Sequence, residues 1–511
     1  MTLRVQLGLL SVAVAMVASA CAIGGGVAGR PTEEPAGFGA VVSGALLAGR
    51  AIEPSRDCGA SLPDTWIDAT SPVAASIAIS SATFRCADVV TLAPLDDAAA
   101  TSAGEAHAVR SGGPLLLVAG GVVSPEALGE IARLRPRIVA AIGLPGVSAA
   151  DVGHFPVRHL TGGQAASQLA PGGGAGLWVM DSSAAALGPV VRAAAAGAGG
   201  DVLEVAETDL REAGERARRR IVSAAGGPLA VVGLSADARW QAEVVAAGIE
   251  LPGGGQTLFP HRRLVAFYGH PGSSGLGVLG EQGPEAALER LLDEVQGYDR
   301  DGVPVVPAFE IIATVADSYA GEDGDYSAEA DIEHLRPWVD LAAEEGVYVI
   351  LDLQPGRTDF LTQAKLYEGL LREPHVGLAL DPEWRLGPDE FHLKQIGSVD
   401  AAEVNTVVEW LAGIVREEHL PQKLLLLHQF EGTMITNRYK IERPSELAVL
   451  IQADGFGPSD VKLGAFSRLT DRVDAGQFWW GWKNFYDEDP QMFNARQVLE
   501  LEPTVYYVSF Q

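Results

Sequence analysis

The sequence predicts an α/β protein in which a parallel α/β domain is followed by a (β/α)8 barrel. Three observations predict this. A chain of 511 residues is too long for one ordinary hydrophobic core. Its charge changes abruptly near residue 261: 23 acidic and 17 basic residues precede that point, 43 and 20 follow it, and all six lysines lie beyond it. Short apolar runs alternate with amphipathic stretches on both sides of the break, the pattern of parallel strands covered by helices.

In the first domain, residues 49–250, the strand candidates are Pro114–Ala119, Arg137–Gly143, Gly176–Met180, Asp201–Val205 and Pro228–Gly233. Helices fall between them. One runs from Ser124 to Leu134, with Ser124 suited to the N-cap and Pro125 to the first turn. This order predicts a single parallel sheet. Residues 251–262 open with Leu-Pro-Gly-Gly-Gly-Gln-Thr and read as a linker.

In residues 263–511 eight apolar runs recur: Leu264–His270, Val303–Glu310, Val347–Asp352, Val376–Asp381, Lys423–Gln429, Leu447–Gln452, Lys462–Phe466 and Gln477–Trp482. Amphipathic segments such as Pro284–Val295 and Glu403–Val415 separate them. Eight strands in about 250 residues fit a TIM-like barrel, with an irregular side where the last gaps are too short for full helices.

Polar groups cluster at the C-terminal ends of these strands, where a TIM barrel builds its active site. They are His270, Glu310, Asp352 with Gln354, Asp381 with Glu383, His428 with Gln429, and Gln452 with Asp454. Crowded carboxylates raise at least one pKa. A protonated acid beside an ionised partner is what glycoside hydrolysis requires. The candidate catalytic residues are therefore Glu383, Asp381, Asp352 and Glu310. The candidate substrate contacts are His270, Tyr268, Gln354, Trp384, His428, Gln429 and Trp480, the aromatic ones because ring faces stack on sugars.

Asp381-Pro382-Glu383 after the fourth strand resembles the Asp-x-Glu motif of chitinase-like and lysozyme-like barrels. That resemblance implies Glu383 as general acid and Asp381 as its helper. The sequence departs from the longer chitinase pattern, because Gly377, Leu378, Ala379 and Leu380 stand where further aspartates are expected. No acid follows the seventh strand, where many barrel glycosidases keep a nucleophile.

Two rival readings stay open. Glu310, Asp352, His270 and His428 are the residue types of a metal-dependent hydrolase or phosphodiesterase, although no His-x-His or His-Glu-x-x-His spacing supports a metal, and no cofactor is expected. A non-catalytic glycan- or wall-binding scaffold would keep the aromatics and tolerate loss of the acids. Neither a Gly-x-Ser-x-Gly elbow nor a Ser-x-x-Lys pair is present in the second domain, which argues against a serine hydrolase. The net charge of −29 argues against nucleic acid as a partner.

The N-terminus predicts where this chemistry happens. Arg4, an apolar run from Val5 to Val17 and the small residues Ala18, Ser19 and Ala20 describe an export signal. With Cys21 next, residues 1–21 resemble a bacterial lipoprotein signal, without the usual leucine at the first lipobox position. The resemblance implies acylation of Cys21 and a membrane anchor; a plain cleaved signal is the alternative. Residues 22–48 read as a flexible stalk. With Cys21 used, Cys58 and Cys86 form an even remainder and predict one disulfide outside the cytoplasm. The stretch Gly113–Leu128, followed by Arg135–Gly143, resembles a degenerate cell-wall-binding repeat of the second type, a likeness covering about residues 75–235. It implies wall attachment. The expected partner is an envelope or extracellular polysaccharide.

Overall fold

The computed structural model describes residues 58–161 and 176–511. Cys21, the signal-like segment and the stalk to residue 48 lie outside the described residues. Among those described, no helix is long and apolar enough to cross a membrane.

The elements begin with β1 (Thr65–Ile67), α1 (Pro72–Thr83), β2 (Val89–Pro94), α2 (Ala98–Ser111), β3 (Leu115–Val118), α3 (Pro125–Leu134), β4 (Ile138–Ile142) and β5 (Val157–Leu160). They continue with β6 (Leu177–Asp181), α4 (Gly188–Ala198), β7 (Asp201–Val205), α5 (Glu215–Ser223), β8 (Leu229–Val232) and α6 (Ala238–Ala247). Ser124 caps α3 as its sequence requires, its Oγ accepting the Ala127 N–H at 3.2 Å.

These strands form two parallel four-stranded sheets, ordered β3-β2-β4-β5 and β1-β8-β6-β7, where one sheet was expected. The split occurs because β1 pairs with β8 and not with its neighbour β2. One core then joins both sheets: Leu92 and Leu116 of the first and Trp178 and Val232 of the second share it with Ile79 of α1 and Val190 and Val191 of α4. Cys58 and Cys86 form the expected disulfide.

The second region contains β9 (Arg263–Gly269), α7 (Pro284–Val295), β10 (Val305–Ala316), β11 (Ser327–Glu329), α8 (Ile332–Glu345), β12 (Tyr348–Leu353), α9 (Phe360–Leu366), α10 (Glu368–Leu371) and β13 (Val376–Leu380). Then come β14 (Val399–Asp400), α11 (Ala401–Glu417), β15 (Lys423–Gln429), β16 (Ile435–Thr436), β17 (Leu447–Ala453), α12 (Ser459–Thr470), β18 (Trp479–Asn484), α13 (Ala495–Leu499) and β19 (Val505–Phe510). The strands β9-β10-β12-β13-β15-β17-β18-β19 pair in that order, all parallel, and β19 pairs back to β9. The protein is thus α/β, with a closed TIM-like barrel in its C-terminal region.

One strand differs from the expectation. Lys462–Phe466 lies inside α12, and β19 is the eighth strand. α12 buries Lys462, Ala465, Phe466 and Leu469, a helical spacing that a five-residue window cannot distinguish from a short strand. The barrel is irregular late: β15 reaches β17 through β16 and a single tight turn at Arg438–Lys440, and α13 has only five residues.

Inward-facing side chains form layers. The lower interior is apolar: Leu264, Ala266, Tyr348, Ile350, Leu424, Leu426, Ala448 and Leu450 pack together with Leu251, Leu258 and Phe259. The segment read as a linker therefore closes the barrel floor. Gly253, Gly254 and Gly255 all hold positive φ, which lets the chain turn tightly there. Gln256 fixes the segment by donating to the carbonyls of Val244 (2.8 Å) and Ile249 (3.0 Å).

Candidate functional site

Side chains alternate faces along a strand, so two residues beyond each inward apolar position is another inward position. Counting upward from the apolar layer gives Tyr268 from Ala266, Glu310 from Ala308, Asp352 from Ile350, Asp381 from Ala379, His428 from Leu426 and Gln452 from Leu450. Glu310 sits opposite Tyr268 and His428 opposite Gln452, whereas Asp352 sits opposite Ala379 and Glu310 opposite Ile350, the stagger of strands in a closed barrel. A continuous polar layer therefore rests on an apolar floor.

His428 is its hub. Its Nε2 lies 3.0 Å from Glu310 Oε1 and 3.6 Å from Asp352 Oδ1, and its Nδ1 lies 3.0 Å from Asp454 Oδ2. Tyr507 donates to Glu310 Oε2 at 2.7 Å, and Tyr268 donates to Asp352 Oδ2 at 2.9 Å. Tyr507 crosses the interior beside Gly481, where an added Cβ would lie 3.2 Å from its ring.

Electrostatics follow from this geometry. Burial works against a charge on His428, but the carboxylates of Asp352, Glu310 and Asp454 together raise its pKa well above the ordinary histidine value. That direction favours the protonated ring over the neutral one. Burial raises Asp352, helped by Glu310 and opposed by His428. Burial also holds Asp381 well above the usual carboxylate range, with Asp352, Asp454 and Glu383 adding to it against His428. Glu383 is lifted to about 7, chiefly by burial and then by Asp454, against the pull of Lys483 and His428.

Above this layer a cavity of about 520 Å³ opens at the C-terminal mouth. Tyr268, Gln354, Asp381, Glu383 and Trp384 line it, together with Asp454, Lys483, Phe430, Phe456 and Phe485. Five of the sequence candidates thus reach the cavity directly. Glu310, Asp352 and His428 are fully buried and lie outside the cavity wall, held within the hydrogen-bonded layer.

Three candidates lie elsewhere. Gln429 follows inward-facing His428 and so points outward, accepting from Arg438 at 2.9 Å. Trp480 precedes inward-facing Gly481; it packs on Phe466 at 6.0 Å and donates to the Ala475 carbonyl at 3.2 Å. His270 lies beyond the strand and accepts the Gly272 N–H at 3.0 Å.

Sequence reasoning did not assign Lys483, Tyr507, Phe430 or Phe456, and it left Asp454 as a strand-end acid without a role. The signal for Lys483 was parity: counting two from Gly481 along Phe-Trp-Trp-Gly-Trp-Lys places it inside. Away from the cavity, carboxylate oxygens of Asp323 and Asp325, in the loop after β10, and Glu329, at the end of β11, converge. That group is largely exposed and separate from the polar layer.

No protein-family model and no curated protein matches the chain. Among solved structures, Cwp6 from Clostridium difficile is similar at 11% identity with a TM-score of 0.31, over 57% of this chain and 63% of its own. The chain spans less than two thirds of that protein. The fold assignment rests on the barrel's own closure.

Proposed function

We propose that the barrel hydrolyses a glycosidic bond in an envelope or extracellular polysaccharide, with Glu383 as the proton donor. The observation that carries this reading is the cavity itself: Glu383, lifted to about 7, and Asp454, bonded to the His428 ring, line the same space. A donor with a pKa near 7 keeps its proton in about half the molecules at neutral pH and gives it up readily to a leaving oxygen.

In this mechanism Glu383 protonates the glycosidic oxygen. Asp454 is the second carboxylate, oriented by the His428 Nδ1–H, and meets the positive charge that develops on the sugar ring. Asp381 accepts the Glu383 backbone N–H at 3.2 Å and so fixes the turn that presents the donor. Glu310 and Asp352 hold His428 in place and supply the negative field beneath the reacting carbon. Trp384, Phe430, Phe456 and Phe485 offer ring faces for sugar stacking. The anomer of the first product, followed by NMR, separates direct attack by Asp454 from attack by water.

The test is Glu383→Gln. Reducing-end release from isolated wall polysaccharide should fall about 10²–10⁴-fold while the melting temperature at neutral pH holds. Full activity in that variant would remove Glu383 from the chemistry. Retention on immobilised glycan by the wild-type protein, with no products by mass spectrometry, would leave a binding scaffold in place of an enzyme.

For location, we infer that Cys21 carries a lipid anchor and that the two-sheet domain contacts the wall. Cys21→Ala should move the protein from the membrane fraction to the medium. Unchanged fractionation would contradict the anchor.

A further inference from the structure

Three cationic side chains line the cavity, and they are treated differently. Lys462 is fully engaged: its Nζ donates to the Lys483 carbonyl at 2.8 Å and pairs with Asp489. Lys483 is only 4% exposed, yet among the described residues its Nζ has no carboxylate at ion-pair distance and no hydrogen-bond acceptor. Its neighbours are ring faces, Tyr268 at 3.4 Å and Phe485 at 5.2 Å from their centroids. Arg468, on α12, lines the same cavity and also has no carboxylate partner among the described residues.

A buried ammonium ion is costly unless it is paired. A ring face compensates part of that cost and leaves the N–H bonds unused. Five cavity-lining acids, Asp381, Glu383, Glu431, Asp454 and Glu488, lie around the same space, and none of them takes up Lys483. The amine is therefore held ready for an anion that is not part of this chain. The same acids select which anion enters. A dianion such as a phosphate ester would meet their repulsion twice over, whereas a singly charged carboxylate is balanced by one ammonium.

We propose that the cavity takes an acidic saccharide, and that Lys483 recognises a carboxylate carried on the sugar. This inference rests on the reading of the cavity as a glycan site. Lys483 is then the specificity residue, with Arg468 at the outer wall drawing the acidic chain toward the mouth.

The test compares matched ligands by calorimetry on the full chain. The probes are an N-acetylglucosamine–glucuronate hexasaccharide and an N-acetylglucosamine–N-acetylmuramate tetrasaccharide, each against its carboxyl-reduced counterpart. At least one acidic probe should bind about tenfold tighter than its neutral partner, and the preference should shrink in high salt. Lys483→Met should bring the ratio close to one, and Lys483→Arg should restore it. Equal binding of acidic and neutral partners by the wild-type protein overturns the inference and leaves the glycan reading standing; this arm needs no variant to fold. A preference that survives Lys483→Met overturns the assignment to Lys483. Failure of all four sugars to bind overturns this inference and the glycan reading together.

Discussion

The two ends of the barrel handle buried charge in opposite ways. At the floor the buried basic side chains of Arg263 and Lys423 meet fixed partners. Arg263 donates to both oxygens of Asp301 (3.1 and 2.8 Å) and to the Val505 carbonyl at 3.0 Å. Lys423, fully buried, donates to the carbonyls of Glu373 (2.7 Å) and Val376 (2.8 Å). At the mouth, the carboxylates of Glu310, Asp352 and Asp454 share the one ring of His428, the Lys483 amine stands without a carboxylate, and Asp352 Oδ1 and Asp454 Oδ1 are buried without a hydrogen bond. Charges that serve only the fold are paired locally. Charges left unpaired inside a cavity are the signature of a site that a ligand completes.

The comparison can be broken at the mouth first, where the largest effect is expected. Glu383→Gln should lower turnover about 10²–10⁴-fold, the usual contribution of a general acid, measured as initial rates on wall polysaccharide. In the wild type the rate should fall as pH rises through about 7, where Glu383 loses its proton.

His428→Leu should come next. It leaves Glu310, Asp352 and Asp454 without their shared cation, at a cost of about 3–5 kcal/mol in urea unfolding. The deficit should be larger at pH 5 than at pH 8, because the stabilisation that comes with the raised pKa of His428 is complete below 6.5 and lost at higher pH. An equal deficit at pH 5 and pH 8 would mean that His428 is neutral.

At the floor, Lys423→Met removes two hydrogen bonds and strands two carbonyls. It should cost about 1–3 kcal/mol of stability and leave kcat unchanged. A loss of turnover there would erase the distinction between the two ends.

The smallest effect concerns pH and the wild-type melting temperature. Glu383, Asp381 and His428 all have raised pKa values in the folded protein. The folded state therefore binds more protons than the unfolded one. For Glu383 that stabilisation is present at its ordinary value near 4.5 and is lost as pH rises through about 7. For His428 it is complete below 6.5 and lost at higher pH. The melting temperature should be a few degrees higher at pH 5 than at pH 8, and Glu383→Gln should flatten the lower part of that slope.

How much of this was readable in the sequence depends on periodicity. Continuous apolar runs such as Lys423–Gln429 read as strands buried on both faces, so seven of the eight barrel strands were legible. Lys462–Phe466 was not, because five residues fit a strand and a helix equally; the true eighth strand, Val505–Phe510, carries the β-branched and aromatic residues that mark one. Parity was legible but unused: it separates His428 from Gln429, and Lys483 from Trp480 and Trp482. The split of the first region into two sheets was not legible, because strand partners depend on long-range packing around α1 and α4 and not on local pattern.

The most direct test is the ionisation of Glu383 itself. Carbon-13 NMR of protein labelled at glutamate side-chain carboxyls, compared with the Glu383→Gln variant, isolates its titration. A resonance that titrates near pH 7 and disappears in the variant is the expected result. A Glu383 carboxyl that titrates near 4.5 would contradict the account.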